Sequence, residues 1–193
     1  MRLWTVQPRT IIDQLQKERS IEAPWLPHSI SFYSPNAVPA VAWMAYEMFR
    51  RKKAVGIGGM FWLWVTPLDH VLRICPDFQL TDGPPTAPPE YLHKTRGTST
   101  LAVFDIPDDE CLVSALPLWE TAMSRCAIVS SLEEDERLTT GDPPSFEYMC
   151  ETWQRMFDRS FTADGYYGSP EDWVWQATVS KLKKAWIVEL QQL

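Results

Sequence analysis

Histidine is scarce in this chain, which has three among 193 residues. Hydrolysis by an activated serine or cysteine needs an imidazole near the nucleophile, and His28, His70 and His93 lie in no such local pattern. The four cysteines are widely spaced and form no metal-binding motif. The sequence therefore predicts no metal site and no histidine-dependent hydrolase, and free thiols fit a reducing cytoplasm.

Long apolar runs and an excess of basic residues are also missing. No stretch reaches the roughly 18 apolar residues that a membrane span needs, and the first residues contain no apolar leader segment. The 18 basic residues are outnumbered by 25 acidic ones, which gives a net charge of −7. Binding to nucleic acid needs a basic stripe, so we expect no membrane contact and consider a nucleic-acid partner unfavourable.

Tryptophan is abundant instead, with ten residues spread along the chain. Each brings a large apolar ring and one N–H that needs an acceptor when buried. The apolar fraction of 45% is too high for a disordered protein. A chain of this length buries roughly 70% of its unfolded surface as one domain. We therefore expect a single well-packed domain over residues 1–193.

Hydrophobic periodicity predicts an α+β fold. The interpretation is a mixed, mostly antiparallel sheet of five or six strands, with four or five helices packed on it. Predicted strands are 3–7, 60–65 (buried on both faces), 70–75 (its neighbour), 98–106, 111–115 and 187–188. Predicted helices are 9–19, 37–53, a short one from 117, 146–157, and one that begins near 169 and carries Trp175, Val179, Leu182 and Trp186 on one face.

Two segments are predicted as loops, 20–36 and the proline-rich 82–98. The second ends with Lys94, Arg96 and Thr98, just before the hydroxyls of Ser99 and Thr100. Cationic side chains beside hydroxyls and a glycine can hold a phosphate-bearing ligand. Hydroxyls on an edge strand beside a surface loop are the alternative interpretation.

Two runs of like charge each have a simple structural interpretation. The acidic run 133–136 lacks a second set of ligands for a metal cage, so we expect a solvated helix face. The basic run 50–53 ends a predicted helix, where cations complement the helix dipole. A phosphate or partner contact is the alternative for the basic run.

Several segments together resemble a known family. These are 3–7, 60–65, 103–110 running into Leu118 and Trp119, 151–158 and 176–186. In this order, over nearly the whole chain, they are similar to the bacterial domain-of-unknown-function family number 3841. The resemblance implies no activity.

A weaker resemblance, at the level of the fold, is to ADP-ribosyltransferase-like domains, which bind NAD in a split mixed sheet. The opening strand, helix and loop carry it. The resemblance implies that Thr5 stands where such domains have a His or Arg. It also implies that Thr98, Ser99 and Thr100 supply strand hydroxyls, and that Glu147 or Glu151 stands for the late glutamate.

Two functional hypotheses follow. The first is a cytosolic, non-catalytic interaction protein, such as a regulator, immunity factor or inhibitor, that binds a protein partner through an acidic, aromatic-rich surface and needs no cofactor. It places some of Trp25, Tyr166, Tyr167 and Trp173 in one exposed patch. The alternative is an NAD-binding enzyme of ADP-ribosyltransferase type, with Thr5, Arg96 and Ser99 in one cleft.

Overall fold

Continuous apolar runs such as 61–64 and 101–104 form the interior of the main sheet, as is typical of strands that are buried on both faces. The structure is a computed structural model that describes residues 1–23, 33–74, 99–163 and 166–193. Six strands form one sheet in the order β5-β6-β3-β1-β4-β8, and β2 pairs with β7. All these pairings are antiparallel, which confirms the expected mostly antiparallel sheet. The strands are β1 (Arg2–Pro8), β2 (Ser20–Glu22), β3 (Phe61–Trp64), β4 (Ser99–Asp105), β5 (Leu112–Ala115), β6 (Trp175–Val179), β7 (Lys181–Lys183) and β8 (Ile187–Gln192).

Six α-helices accompany the sheet within the described ranges, slightly more than the four or five expected. They are α1 (Arg9–Glu18), α2 (Val38–Arg50), α3 (Leu68–Ile74), α4 (Leu116–Met123), α5 (Leu132–Thr140) and α6 (Phe146–Trp153). A 3-10 turn, Gln154–Phe157, extends α6. The elements form one domain of the α+β class, as the sequence predicted. The expected loop 82–98 lies outside the described residues.

The first strand, β1, lies in the middle of the sheet, between β3 and β4. Successive side chains of a strand point to opposite faces. Leu3 therefore packs with Ile12 and Leu15 of α1, whereas Trp4 packs on the other face with Val71 of α3. The sheet is thus covered by helices on both faces, and β1 is buried on both.

Aromatic rings fill the space between the sheet and the helices α2, α4 and α6. Trp62 of β3 lies 4.9 Å from Trp119 of α4, and Trp43 of α2 lies 5.3 Å from Trp153 of α6 (ring centroids). Trp153 is fully buried, and its indole N–H donates to the carbonyl of Cys126 at 2.8 Å. The tryptophans named here serve the core, as their spacing indicated.

Two short segments differ from the prediction. Residues 70–74, expected as a strand beside β3, belong to helix α3. Pro67 precedes this helix and Asp69 lies in its first turn, where both are favourable. A short apolar run does not distinguish a strand from a helix by its pattern alone. Within the expected loop 20–36, Ser20–Glu22 forms β2 because Ile21 is buried opposite Leu182.

The helix expected from residue 169 is wrong. Its start signal produces a single 3-10 turn, Pro170–Asp172, and the chain then forms β6, β7 and β8. Trp175, Val179, Leu182 and Trp186 do fit a helical period. However, β6 also alternates, with Ala177 and Val179 in one core cluster. Pairing with β3 on one side and β5 on the other satisfies its backbone and outweighs the helical pattern.

Leu63 provides a test of the buried central sheet. It is 1% exposed, so Leu63→Ala should lower the free energy of unfolding by about 2–5 kcal/mol through lost burial and a residual cavity. Urea unfolding measures this value. Leu132→Ala is the matched control, because Leu132 is 65% exposed and its truncation should change stability by less than about 0.5 kcal/mol. Equal losses for both variants would contradict the burial pattern.

Candidate functional site

Helix α5 contributes no residue to the core. None of its nine residues is buried, although the helix is flanked by the packed helices α4 and α6. Isolated helices of this length are unstable in water, so interactions outside the apolar core must hold it in place. The sequence predicted a solvated acidic face here, and Glu133 and Glu136 are indeed exposed.

Glu134 is the exception, and it anchors the helix. Its side chain is only 10% exposed. The carboxylate accepts hydrogen bonds from the backbone N–H and the hydroxyl of Ser130, both at 2.7 Å, and from the Tyr148 hydroxyl at 2.9 Å. Nη1 of Arg155 lies 2.9 Å away and completes an ion pair. Interpreting residues 133–136 as one solvated face is therefore wrong at Glu134.

The groups around Glu134 are themselves held. Arg155 also donates to the carbonyl of Ile128, and its guanidinium lies 5.6 Å from the ring centre of Phe161. The hydroxyl of Ser131 accepts the Glu134 N–H at 3.2 Å and caps α5. This arrangement is a capping box displaced by one residue, because the glutamate reaches Ser130 instead of the cap residue.

The charge of Glu134 is strongly stabilised. Burial by itself would raise the pKa of this carboxyl, but hydrogen bonds from Arg155, Ser130 and Tyr148 lower the pKa to about 2. The negative charge is therefore maintained throughout the physiological range, and the ion pair with Arg155 persists there.

Tyr166 and Tyr167 lie beside α5. Their rings meet edge to face, 4.9 Å between centroids. Tyr167 is half-buried, its hydroxyl accepts the Val129 N–H at 2.9 Å, and burial raises its pKa to about 12. Tyr166 is 42% exposed, and its pKa is raised first by burial and then by the neighbouring Asp135. We name the surface formed by the exposed residues Leu132, Glu133, Glu136 and Tyr166 and the half-buried Asp135 the acidic platform.

Some of Trp25, Tyr166, Tyr167 and Trp173 were expected in one exposed patch, and the structure describes the last three. Trp25 lies outside the described residues. Trp173 is 4% exposed, and its indole N–H donates to the carbonyl of Tyr167 at 2.9 Å. The prediction that Trp173 is exposed is therefore wrong, because its ring packs in the core cluster against which Tyr167 lies. Among the three described aromatic residues, Tyr166 is exposed, Tyr167 is half-buried and Trp173 is buried.

Thr5 and Ser99, the described residues of the proposed NAD cleft, do not lie together. Lys94, Arg96 and Thr98 lie outside the described residues. Thr5 pairs with Ala102, and Ser99 pairs with Pro8, so Thr5 and Ser99 face opposite sides of the sheet. The Thr5 hydroxyl donates to the carbonyl of Trp62 at 3.1 Å. A shared cleft for Thr5 and Ser99 is therefore wrong.

The two late glutamates lie on α6. Glu147 and Glu151 are both exposed there, on a helix and not on a strand of the sheet that contains Thr5 and Ser99. Within 1–23, 33–74, 99–163 and 166–193, no group of three His, Cys, Asp or Glu side chains is arranged to hold a metal ion. In the same ranges no helix is long and apolar enough to cross a membrane.

No protein-family model, curated protein or solved structure matches this chain. The resemblances to domain family number 3841 and to ADP-ribosyltransferase-like domains therefore stay predictions.

The sequence contains one signal for the anchor at Glu134. Ser131 is followed three residues later by Glu134, the spacing of a capping box, and this spacing separates Glu134 from its exposed neighbours. Arg155 and Tyr148 could not be assigned to the same network from the sequence, because tertiary packing of α6 on α5 brings them there.

Glu134→Gln tests the anchor through its pH dependence. At pH 7 the variant should lose roughly 1–3 kcal/mol of unfolding free energy, because Arg155 loses its charged partner. The folded-state pKa is lower than the ordinary value of 4.5, so the contribution is present above pH 4.5 and disappears as the pH falls towards 2. Urea unfolding of both proteins over this range measures the difference.

Glu133→Gln is the control for that experiment. Glu133 precedes Glu134 on the same helix but is exposed and forms no ion pair with a described residue. It should leave both the stability and its pH dependence close to those of the parent protein. A stability difference between Glu134→Gln and the parent that stays constant from pH 7 to pH 3 would contradict the assignment.

Proposed function

We propose that the protein is a non-catalytic interaction protein, of regulator, immunity-factor or inhibitor type, that binds a basic segment of a partner protein through the acidic platform. One observation carries the proposal. Helix α5 exposes acidic side chains and Leu132 while burying nothing in the core, yet an ion pair between the nearly buried Glu134 and the half-buried Arg155 fixes its position. A helix that adds no apolar burial but is held in place is well suited to presenting its outer face.

Charge determines the kind of partner. Glu133 and Glu136 form no ion pair with any described residue, and Arg137 is the single cation of α5. Neighbouring carboxylates on one helix repel one another, and a Lys- or Arg-rich segment relieves that repulsion. A phosphate backbone would increase it, so nucleic acid is disfavoured as the partner. The net charge of −7 also steers basic partners towards the chain.

Apolar contacts on the platform supply affinity. Leu132 is 65% exposed, and Tyr166 is 42% exposed beside Asp135. Exposed aromatic residues with a polar tip are frequent energetic centres of protein interfaces, whereas charges at the rim mainly increase the association rate. The platform therefore contains both apolar and charged side chains.

Rigidity lowers the cost of binding. Glu134, Ser131 and Tyr167 fix α5 and the tyrosine pair through hydrogen bonds before any partner arrives. A surface that is already ordered loses less conformational entropy on association.

The proposal requires no cofactor. It assumes a reducing, cytoplasmic setting, which the free thiols of Cys111, Cys126 and Cys150 favour.

A short fluorescein-labelled peptide of alternating lysine and leucine tests the proposal. Fluorescence anisotropy should show saturable binding that weakens as the salt concentration rises, because screening reduces the charge attraction. The double variant Glu133→Gln with Glu136→Gln should raise the Kd about three- to tenfold, and Tyr166→Ala should raise it by a similar factor.

The matched control removes two other exposed carboxylates. Glu171 and Asp172 lie on the turn before β6, so Glu171→Gln with Asp172→Asn makes the same change in net charge elsewhere. This control should change the Kd by less than about twofold. If both double variants raised the Kd by the same factor, binding would depend only on the net charge of the protein, and the proposal would be overturned. The absence of binding by the parent protein would also overturn it.

A further inference from the structure

An open cleft lies where β3 and β6 meet the segment after α6. Its volume is about 360 Å³, within the lower part of the range for small-molecule sites. It shares no residue with the acidic platform, and its residues come from three separate parts of the chain. They are Val65, Thr66, Pro67, Arg159, Pro170 and Trp175.

Arg159 supplies a positive charge without a carboxylate partner. Its guanidinium lies 5.5 Å from the centre of the Trp175 ring, and it forms no ion pair with any residue that the structure describes. By contrast, Arg155, a short distance earlier in the chain, is paired with Glu134. A guanidinium over an aromatic face is held in orientation, while its N–H edge stays available for a planar oxyanion.

Thr66 forms a fixed part of the cleft wall. It is 7% exposed, and its hydroxyl accepts the Trp175 N–H at 2.7 Å. Its backbone N–H donates to the Trp175 carbonyl at 3.1 Å, and its carbonyl accepts the indole N–H of Trp4 at 2.8 Å. The hydrogen of the Thr66 hydroxyl finds no acceptor among the described residues. A nearly buried donor of this kind is costly unless something accepts it.

The remaining walls are apolar. Val65, Pro67 and Pro170 present no side-chain hydrogen-bonding group, and Trp175 adds an aromatic surface. One guanidinium balances a single negative charge, and the apolar walls favour an anion with an apolar body over inorganic phosphate. We propose that the cleft between Arg159, Thr66 and Trp175 binds a small carboxylic acid, with the carboxylate on Arg159 and a compact apolar body against Trp175 and the two prolines.

Phenylacetate is the probe, and phenylacetamide is its neutral counterpart of the same shape. We expect the indole N–H resonance of Trp175, assigned with Trp175→Phe, to shift saturably in ¹H–¹⁵N spectra, with a Kd on the order of 1 mM. Phenylacetamide and inorganic phosphate should bind at least about tenfold more weakly, because neither offers a single carboxylate to the guanidinium.

Substitutions at Arg159 distinguish the contribution of its positive charge to phenylacetate binding from the contribution of its planar guanidinium group. Arg159→Ala should raise the Kd for phenylacetate at least about tenfold, and Arg159→Lys should recover part of the loss. Arg137→Ala is the matched control, since Arg137 is an exposed arginine on α5, and it should have no effect. The same spectra report folding, because the other indole resonances must keep their positions.

Three results would overturn the assignment. They are the absence of a saturable shift at Trp175 in the parent protein, equal binding of phenylacetamide, and equal losses for Arg159→Ala and Arg137→Ala. None of these results bears on the acidic platform, so this site and the proposed function fail independently.

Discussion

The two halves of the main sheet are joined by a single strand. β5, β6 and β3 lie on one side of β1, and β4 and β8 lie on the other. β1 holds both through backbone pairing, and its side chains secure the two core layers with Leu3 on one face and Trp4 on the other. Trp4 also stacks on Trp64 and donates to the carbonyl of Thr66, so the end of β3 takes its position from β1. The cleft beside Arg159 thus depends on a strand that does not line it.

The acidic platform follows a different physical principle. A nearly buried carboxylate usually carries a desolvation cost, and a salt bridge by itself is weak evidence for stability. At Glu134 the cost is offset because Arg155, Ser130 and Tyr148 supply hydrogen bonds to both carboxylate oxygens. This network replaces the apolar contacts that α5 lacks. Polar interactions, which are directional, fix the orientation of a helix whose outer side chains are all available to solvent.

The sequence predicted the fold well where one periodicity dominated. The helices at 9–18 and 38–50 and the strands at 2–8, 99–105 and 112–115 were found close to the expected bounds. The error from residue 169 arose where two periods coexist, because Trp175, Val179, Leu182 and Trp186 fit a helix while Ala177 and Val179 fit a strand. Backbone pairing of β6 with β3 and β5 favours the strand over the helix. For the site, the acidic run and Tyr166 were visible in the sequence, but the burial of Glu134 and Trp173 depends on distant partners.

The order of the strands has a consequence for the rate at which the sheet forms. β1 must find β4, with Trp4 opposite Val103, and β3 must find β6, with Phe61 opposite Val179. Each pairing closes a loop on the order of 100 residues, and such closures cost entropy before any contact compensates for it. Local helices such as α1 form on a much shorter timescale. We therefore expect α1 to form before β1 is paired, and until β1 pairs, Leu3, Trp4 and Val6 remain open to contact with another copy of the chain.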